Sequence, residues 1–285
     1  DRARRHEPPV PSSVIVEDPR EVRRAIADIE RSATVAGRRR TGRLVIEGLR
    51  LHERAVRSGR PPDRAVVADG AVASAEPRTR ALLAALAGTG TILLRAPDDD
   101  GERLMDGRGG GAMVGLVPLP HPVDPCAVMT SPAAAGRPAL VLAGIEDPCN
   151  LGALARTALG AGAAVRVVTP PGDPFHPKAV RTSMGAVFKL PIALGADPAT
   201  VVDDLRGAGV RVVGAVSAGG VPLPRADLDP PVAITLGSEA FGLGEDVVAR
   251  LDGRVTIPMA TEIDSFSVNA AAATLLYEIA RRRLD

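Results

Sequence analysis

Residues 255–285 read Val255-Thr-Ile-Pro-Met259, Ala260-Thr-Glu-Ile-Asp264, Ser265-Phe-Ser-Val-Asn269, then Ala270-Ala-Ala-Ala-Thr274-Leu-Leu-Tyr-Glu-Ile279 and a short tail holding three arginines. The β-branched start, stopped by Pro258, predicts a strand ending in a turn. From Ala270 on the residues are strong helix formers, and the closing arginines complement the negative end of the helix dipole. Ser265 and Asn269 are both candidates for the N-cap of that helix. A strand, a polar loop and a helix start gather backbone N–H groups and hydroxyls around one point. Such a point suits a polar ligand, or simply docks a last helix.

The same order recurs upstream. Apolar runs at 139–143, 164–168, 210–216, 232–236 and 254–257 alternate with helical patterns at 151–159, 178–184, 198–208 and 245–251. Uninterrupted apolar strands alternating with helices predict a parallel, doubly wound sheet over residues 139–285. Ligands of such sheets bind at the C-terminal ends of the strands. Residues 118–138 hold six prolines and little periodicity, which predicts a linker. Residues 19–117 form a smaller α/β/α pattern: helices at 19–33, 49–58 and 77–87, strands at 44–46, 64–68, 91–94 and 112–117, and a glycine cluster at 109–111. Pro8, Pro9 and Pro11 mark residues 1–18 as a flexible leader.

Composition narrows the function classes. Apolar residues make up 45% and charged residues 24%, as in soluble globular proteins, with a net charge of +1. No apolar run is long enough to cross a membrane and no signal segment is evident, so the expected compartment is the cytoplasm. Cys126 and Cys149 lie far apart without a CxxC spacing, so neither a metal site nor a disulfide framework is expected. Residues 1–60 carry 15 Arg against 9 Asp plus Glu, with Arg38, Arg39, Arg40 and Arg43 clustered. Such a patch faces either phosphates or water.

The candidate chemistry lies in the second half. Gly160-Ala-Gly162 follows a helix and precedes a strand, the reverse of a dinucleotide-binding turn, and reads as a helix end. Asp147-Pro-Cys-Asn150 opens the helix at 151–159, with Asn150 placed as its N-cap. Arg156 is the only charge in that helix. If it is buried there, it needs a carboxylate such as Glu239 or a phosphate ligand. Glu239 itself lies in Leu236-Gly237-Ser-Glu239-Ala-Phe-Gly242-Leu-Gly244, whose glycines let the backbone approach a ligand. His176, Lys178 and Arg181 gather before a further helix and offer contact to a polyanion.

Together and in this order, Asp147-Pro-x-Asn150-x-Gly152-x4-Thr157-Ala158, then Leu236-Gly-Ser-Glu239-x-x-Gly242-Leu, then Ile257-Pro-Met259-x5-Ser265 closely resemble the motifs of the SpoU/TrmH family of SPOUT-class RNA ribose 2′-O-methyltransferases. His176-Pro-Lys-x-Val-Arg-x-Ser-Met-Gly185 is similar to that family as well. The segment from Arg43-Leu-Val-Ile-Glu47-Gly48 onward resembles an L30e-like substrate-binding domain. The resemblance implies a SPOUT-type parallel sheet with a deep trefoil knot, preceded by the smaller L30e-like α/β/α domain. It implies S-adenosylmethionine held around Ser217, Leu236, Gly237, Ile257, Met259 and Phe266. It also implies a homodimer in which Arg156 of one subunit serves the cofactor of the other, with Asn150, Glu239, Ser265 and Ser267 completing the catalytic set. RNA contacts are expected from Arg38, Arg39, Arg40, Arg43, Lys178 and Arg181. The expected reaction is 2′-O-methylation of structured RNA, with 23S ribosomal RNA foremost, in a housekeeping or antibiotic-resistance role. Alternatives are a tRNA target, or an RNA-binding protein with weak or no transfer activity. The family's third motif runs Ser-Leu-Asn-Val-Ser, whereas this chain has Ser265-Phe-Ser267-Val-Asn269. Either Ser267 supplies the hydrogen bond alone, or Asn269 reaches in from the next half-turn.

Overall fold

The computed structural model describes residues 15–74, 76–105, 113–260 and 264–282. These fall into two compact units. One comprises the described residues up to Leu119 together with Phe175–Arg181, and the other comprises Pro120–Pro174 and the described residues from Thr182 on.

In the first unit β1 (Ile15–Val16), β2 (Arg43–Glu47), β3 (Arg64–Ala68), β4 (Ile92–Ala96) and β5 (Met113–Pro118) form one sheet in the order β1-β4-β3-β5-β2. The first three strands in that order run parallel, while β5 is antiparallel to both β3 and β2. Its helices are α1 (Pro19–Ser32), α2 (Val35–Thr41), α3 (Gly48–Arg57), α4 (Asp69–Val72), α5 (Pro77–Gly88) and α6 (Asp98–Leu104). Side chains alternate across a strand, and the core divides accordingly. Val66 and Leu94 meet Val22, Ile26 and Ile29 of α1. Ala65, Val67 and Leu93 meet Leu82, Leu83 and Leu86 of α5 on the opposite face. The leader expectation needs correction, because Ile15 and Val16 pair in register with Leu93 and Leu94. Residues 1–14 and the glycine cluster lie outside the described residues.

In the second unit β6 (Ala139–Leu142), β7 (Val165–Val168), β8 (Ile192–Leu194), β9 (Arg211–Ala215), β10 (Val221–Pro222), β11 (Val232–Leu236) and β12 (Gly253–Thr256) form a sheet in the order β10-β12-β9-β11-β6-β7-β8. Every pairing in it is parallel. The later helices are α7 (Pro125–Met129), α8 (Pro148–Gly160), α9 (Pro177–Thr182), α10 (Pro198–Gly207), α11 (Glu245–Val248) and α12 (Val268–Arg282). The mixed α/β class and the parallel sheet are thus as expected from the sequence.

One local device starts four of these helices. Asp18, Asp124, Asp147 and Asp197 each stand before a proline and accept a backbone N–H, from Arg20, Cys126, Cys149 and Thr200 respectively. The aspartate satisfies one of the orphan donors of the first turn, and proline at the first position has no N–H to lose. The device also corrects the linker. Residues 120–138 form α7 and a short 3₁₀ turn, Pro132–Ala134, whose Met129 and Ala134 are buried with Val141, Val165 and Val212. After α8 the chain turns at Gly162, at φ 78°, consistent with a helix end there. Among the described residues no helix is long and apolar enough to cross a membrane.

Candidate active site

Strands β12, β9 and β11 are neighbours in a parallel sheet, so the loops that follow them leave from the same edge. Those loops and the start of α12 line a cleft of about 700 Å³. Small-molecule sites typically measure roughly 300–1,000 Å³. All six residues expected to hold the cofactor, Ser217, Leu236, Gly237, Ile257, Met259 and Phe266, line this cleft, as do Glu239, Ser265 and Ser267. Gly237 is fixed by sterics, because a Cβ there would run into the backbone of Gly242 and Leu243. The charges on the described lining residues are the carboxylates of Glu239 and Asp264, with no basic side chain among them. The site therefore favours a cation and leaves any phosphate to be met by groups from outside the cleft.

Asn150 joins this site differently from its expected role. Asp147 caps α8, and Asn150 lies inside its first turn, donating from Nδ2 to Glu239 Oε1. Glu239 is therefore bonded to Asn150 and not to Arg156. The buried setting expected for Arg156 is also corrected. Leu151, Leu154, Ala155 and Ala158 form the buried stripe of α8, and Arg156 falls on the exposed side. It lies outside the cleft lining, and its side chain makes no hydrogen bond or ion pair with another described residue.

The exchanged residues of the third motif have separate tasks. Neither Ser265 nor Asn269 caps α12. Ser267 Oγ, one residue before the helix, accepts from Ala270 N at 3.3 Å. Asn269 Oδ1 accepts from Thr157 Oγ1 at 2.9 Å, which ties α12 to α8.

The expected RNA-contact residues, all in the first unit, divide by their partners. Arg38 is corrected: it is 3% exposed and its Nη1 donates to the carbonyls of Ser32 and Ala33, at 3.3 and 2.9 Å. Arg43 pairs with Asp63 at 2.6 Å and Arg181 with Glu47 at 2.8 Å, which leaves both half-buried. Arg39, Arg40 and Lys178 are exposed. Among the lining residues missed from the sequence are Asp264 and Phe241. Phe241 carried a usable signal, as an aromatic on a glycine turn in a chain with four Phe, one Tyr and no Trp.

The model of the SpoU rRNA methylase family matches residues 137–277. An uncharacterized tRNA/rRNA methyltransferase of Mycobacterium avium is 31% identical over 234 residues, covering 80% of this chain and 74% of that protein. The 23S rRNA (guanosine-2′-O-)-methyltransferase RlmB of Xanthomonas axonopodis pv. citri is 38% identical over 154 residues, 53% of this chain and 62% of that protein. The chain spans less than two thirds of the length of that protein and of several mycobacterial relatives. Among solved structures, the AdoMet-bound rRNA methyltransferase of Sinorhizobium meliloti aligns with a TM-score of 0.78 at 26% identity, covering 95% of this chain and 98% of that one. With its motif segments converging on one cleft at the edge of a parallel sheet, the chain belongs to the SpoU methylase family.

Proposed function

We propose that the protein is an S-adenosylmethionine-dependent RNA ribose 2′-O-methyltransferase acting as a homodimer on structured RNA, with 23S ribosomal RNA as its target. The observation that carries this reading is the meeting of Asn150 with Glu239 at a cleft that Ser217, Ile257, Met259 and Ser265 also line. The cleft fits the cofactor in size, in its apolar Leu236, Ile257 and Met259, and in a carboxylate lining suited to a sulfonium and an ammonium group. When bound, S-adenosylmethionine supplies an electrophilic methyl group.

This chain's residues have the complementary task. A ribose 2′-hydroxyl is a weak nucleophile and must lose its proton as it attacks. Glu239 fixes the Asn150 amide, and Ser265 and Ser267 offer hydroxyls with which to orient the ribose. Arg156 offers a fork of N–H donors and no acceptor, so its role is to grip an RNA phosphate and steady developing charge. Its exposed position, outside its own subunit's cleft, supports service to the partner subunit's cleft. The 2′-O specificity and the ribosomal target are inferred from the Xanthomonas relative, a 23S rRNA (guanosine-2′-O-)-methyltransferase. The Arg-rich first unit, with Arg39 and Arg40 exposed, supports an RNA-binding role for the L30e-like domain.

Arg156→Ala is the test. It is expected to abolish methyl transfer to 23S rRNA while leaving the dimer and the calorimetric affinity for S-adenosylmethionine largely intact. Unchanged turnover would remove Arg156 from the mechanism. Cofactor binding without any transfer by the unaltered protein would favour the RNA-binding alternative, in keeping with an Asn269 amide already engaged by Thr157.

A further inference from the structure

Phe241 is 91% exposed, in a chain with few aromatic side chains. Single exposed apolar residues are ordinary, so exposure alone decides nothing. What distinguishes Phe241 is how it is held. Ser238 and Gly242 exchange both backbone hydrogen bonds, at 3.1 and 2.9 Å, and Phe241 N donates to Ser238 Oγ at 3.2 Å. Gly242 takes a φ of 67°, and Gly237 packs against its backbone too closely for any side chain. The ring therefore sits on a small closed loop braced from below, two residues beyond the Glu239 that holds Asn150. It lines the same cleft as Ser265 and Phe266.

An uncovered aromatic ring on a braced loop beside a polar reaction centre offers a face on which a flat ring can stack. We propose that Phe241 is the stacking platform for the base of the nucleotide whose ribose enters this cleft. The inference rests on the RNA methyltransferase reading and deepens it. To present its 2′-hydroxyl inside a cleft, a nucleotide must leave the stack of its neighbours, and proteins that read RNA replace that lost stacking with aromatic faces. Phosphate is a poor occupant, because the described lining carries carboxylates and no basic group. Every base has a π-face, so this contact positions the nucleotide without choosing its identity.

The test uses the full chain, S-adenosylmethionine and unmodified 23S rRNA transcribed in vitro, with Phe241→Ala, Phe241→Leu and Phe241→Trp. Base–aromatic stacking predicts a rise in KM for RNA of roughly ten- to hundred-fold in the Ala variant. Leu keeps the apolar bulk but has no π-face and is expected to behave like Ala, whereas Trp restores the wild-type KM. Cofactor affinity by calorimetry and mass in solution are expected to stay unchanged throughout. An unchanged KM in Phe241→Ala, or full activity in Phe241→Leu, overturns the stacking role while leaving the methyltransferase reading intact. A fall in cofactor affinity would place the ring against the cofactor, and a fall in mass would place it in the subunit interface; either overturns the inference. A wild-type protein that neither binds S-adenosylmethionine nor methylates this RNA defeats the parent reading, and the inference with it.

Discussion

Two buried nitrogenous side chains show what single residues cost this fold. Arg166 sits in β7 between Val165 and Val167, in register with Leu140 of β6 and Ile192 of β8, and its Nε and Nη2 have no hydrogen-bond partner among the described residues. Full burial lowers its guanidinium to about 10, still charged at neutral pH. Arg166→Met should therefore raise the thermal midpoint, with a stability gain on the order of 1–3 kcal/mol. A lower midpoint would show that the charge has an essential partner. His52, fully buried in α3, donates from Nδ1 to Gly48 O at 2.8 Å, while its Nε2 faces Gly115 without a partner among the described residues. Burial holds its imidazole down at about 4, against 6.5 for a free one. The unfolded chain thus takes up a proton below 6.5 that the folded chain refuses until about 4. Stability should be full above pH 6.5 and decline by about 3 kcal/mol between those values. Denaturant titrations across that window should show a shallower decline in His52→Gln, which does not titrate; an identical decline would clear His52. The sequence points to Arg156 as a buried charge because it is the only charge in an apolar helix, and Arg166 stands in an equally apolar strand. A helix has a side on which Arg156 can escape to solvent, whereas a central parallel strand is covered on both faces and Arg166 cannot.

At the scale of elements, legibility followed length and register. The long apolar strands and α12 could be read directly, because their patterns persist over several residues. β8 and β10 could not, having three and two residues and, in β10, a proline that only an edge position tolerates. α7 hid in a proline-rich stretch whose Asp124-Pro125 pair is the same start signal as in α8 and α10. The third motif was legible as a motif but not in its details. Which residue caps α12 depends on where the helix begins, and that shift moved the cap from Ser265 or Asn269 to Ser267. Ser267→Ala should accordingly cost about 0.5–1 kcal/mol of stability, the low end of the range for an exposed cap. Thermal unfolding measures it, and an unaltered midpoint would mean that the 3.3 Å bond contributes nothing.

On the scale of the whole molecule, the sequence placed the cleft lining well because parallel strands deliver their loops to one edge, and the expected cofactor residues all follow or end β9, β11 and β12. It could not show which of the arginines expected to meet RNA are engaged within the fold, since that depends on tertiary partners such as the Ser32 and Ala33 carbonyls, Asp63 and Glu47. The proposed reaction passes methyl groups from S-adenosylmethionine to ribose 2′-oxygens of ribosomal RNA. The direct measurement is to incubate the protein with methyl-labelled S-adenosylmethionine and unmodified 23S rRNA, then hydrolyse the RNA in alkali. Alkaline cleavage requires a free 2′-hydroxyl, so a 2′-O-methyl group protects the bond beside it. Label is expected in an alkali-resistant dinucleotide and is expected to be lost in Arg156→Ala. Label recovered only in mononucleotides, as from a methylated base, or no label at all from a protein that binds the cofactor, would contradict it.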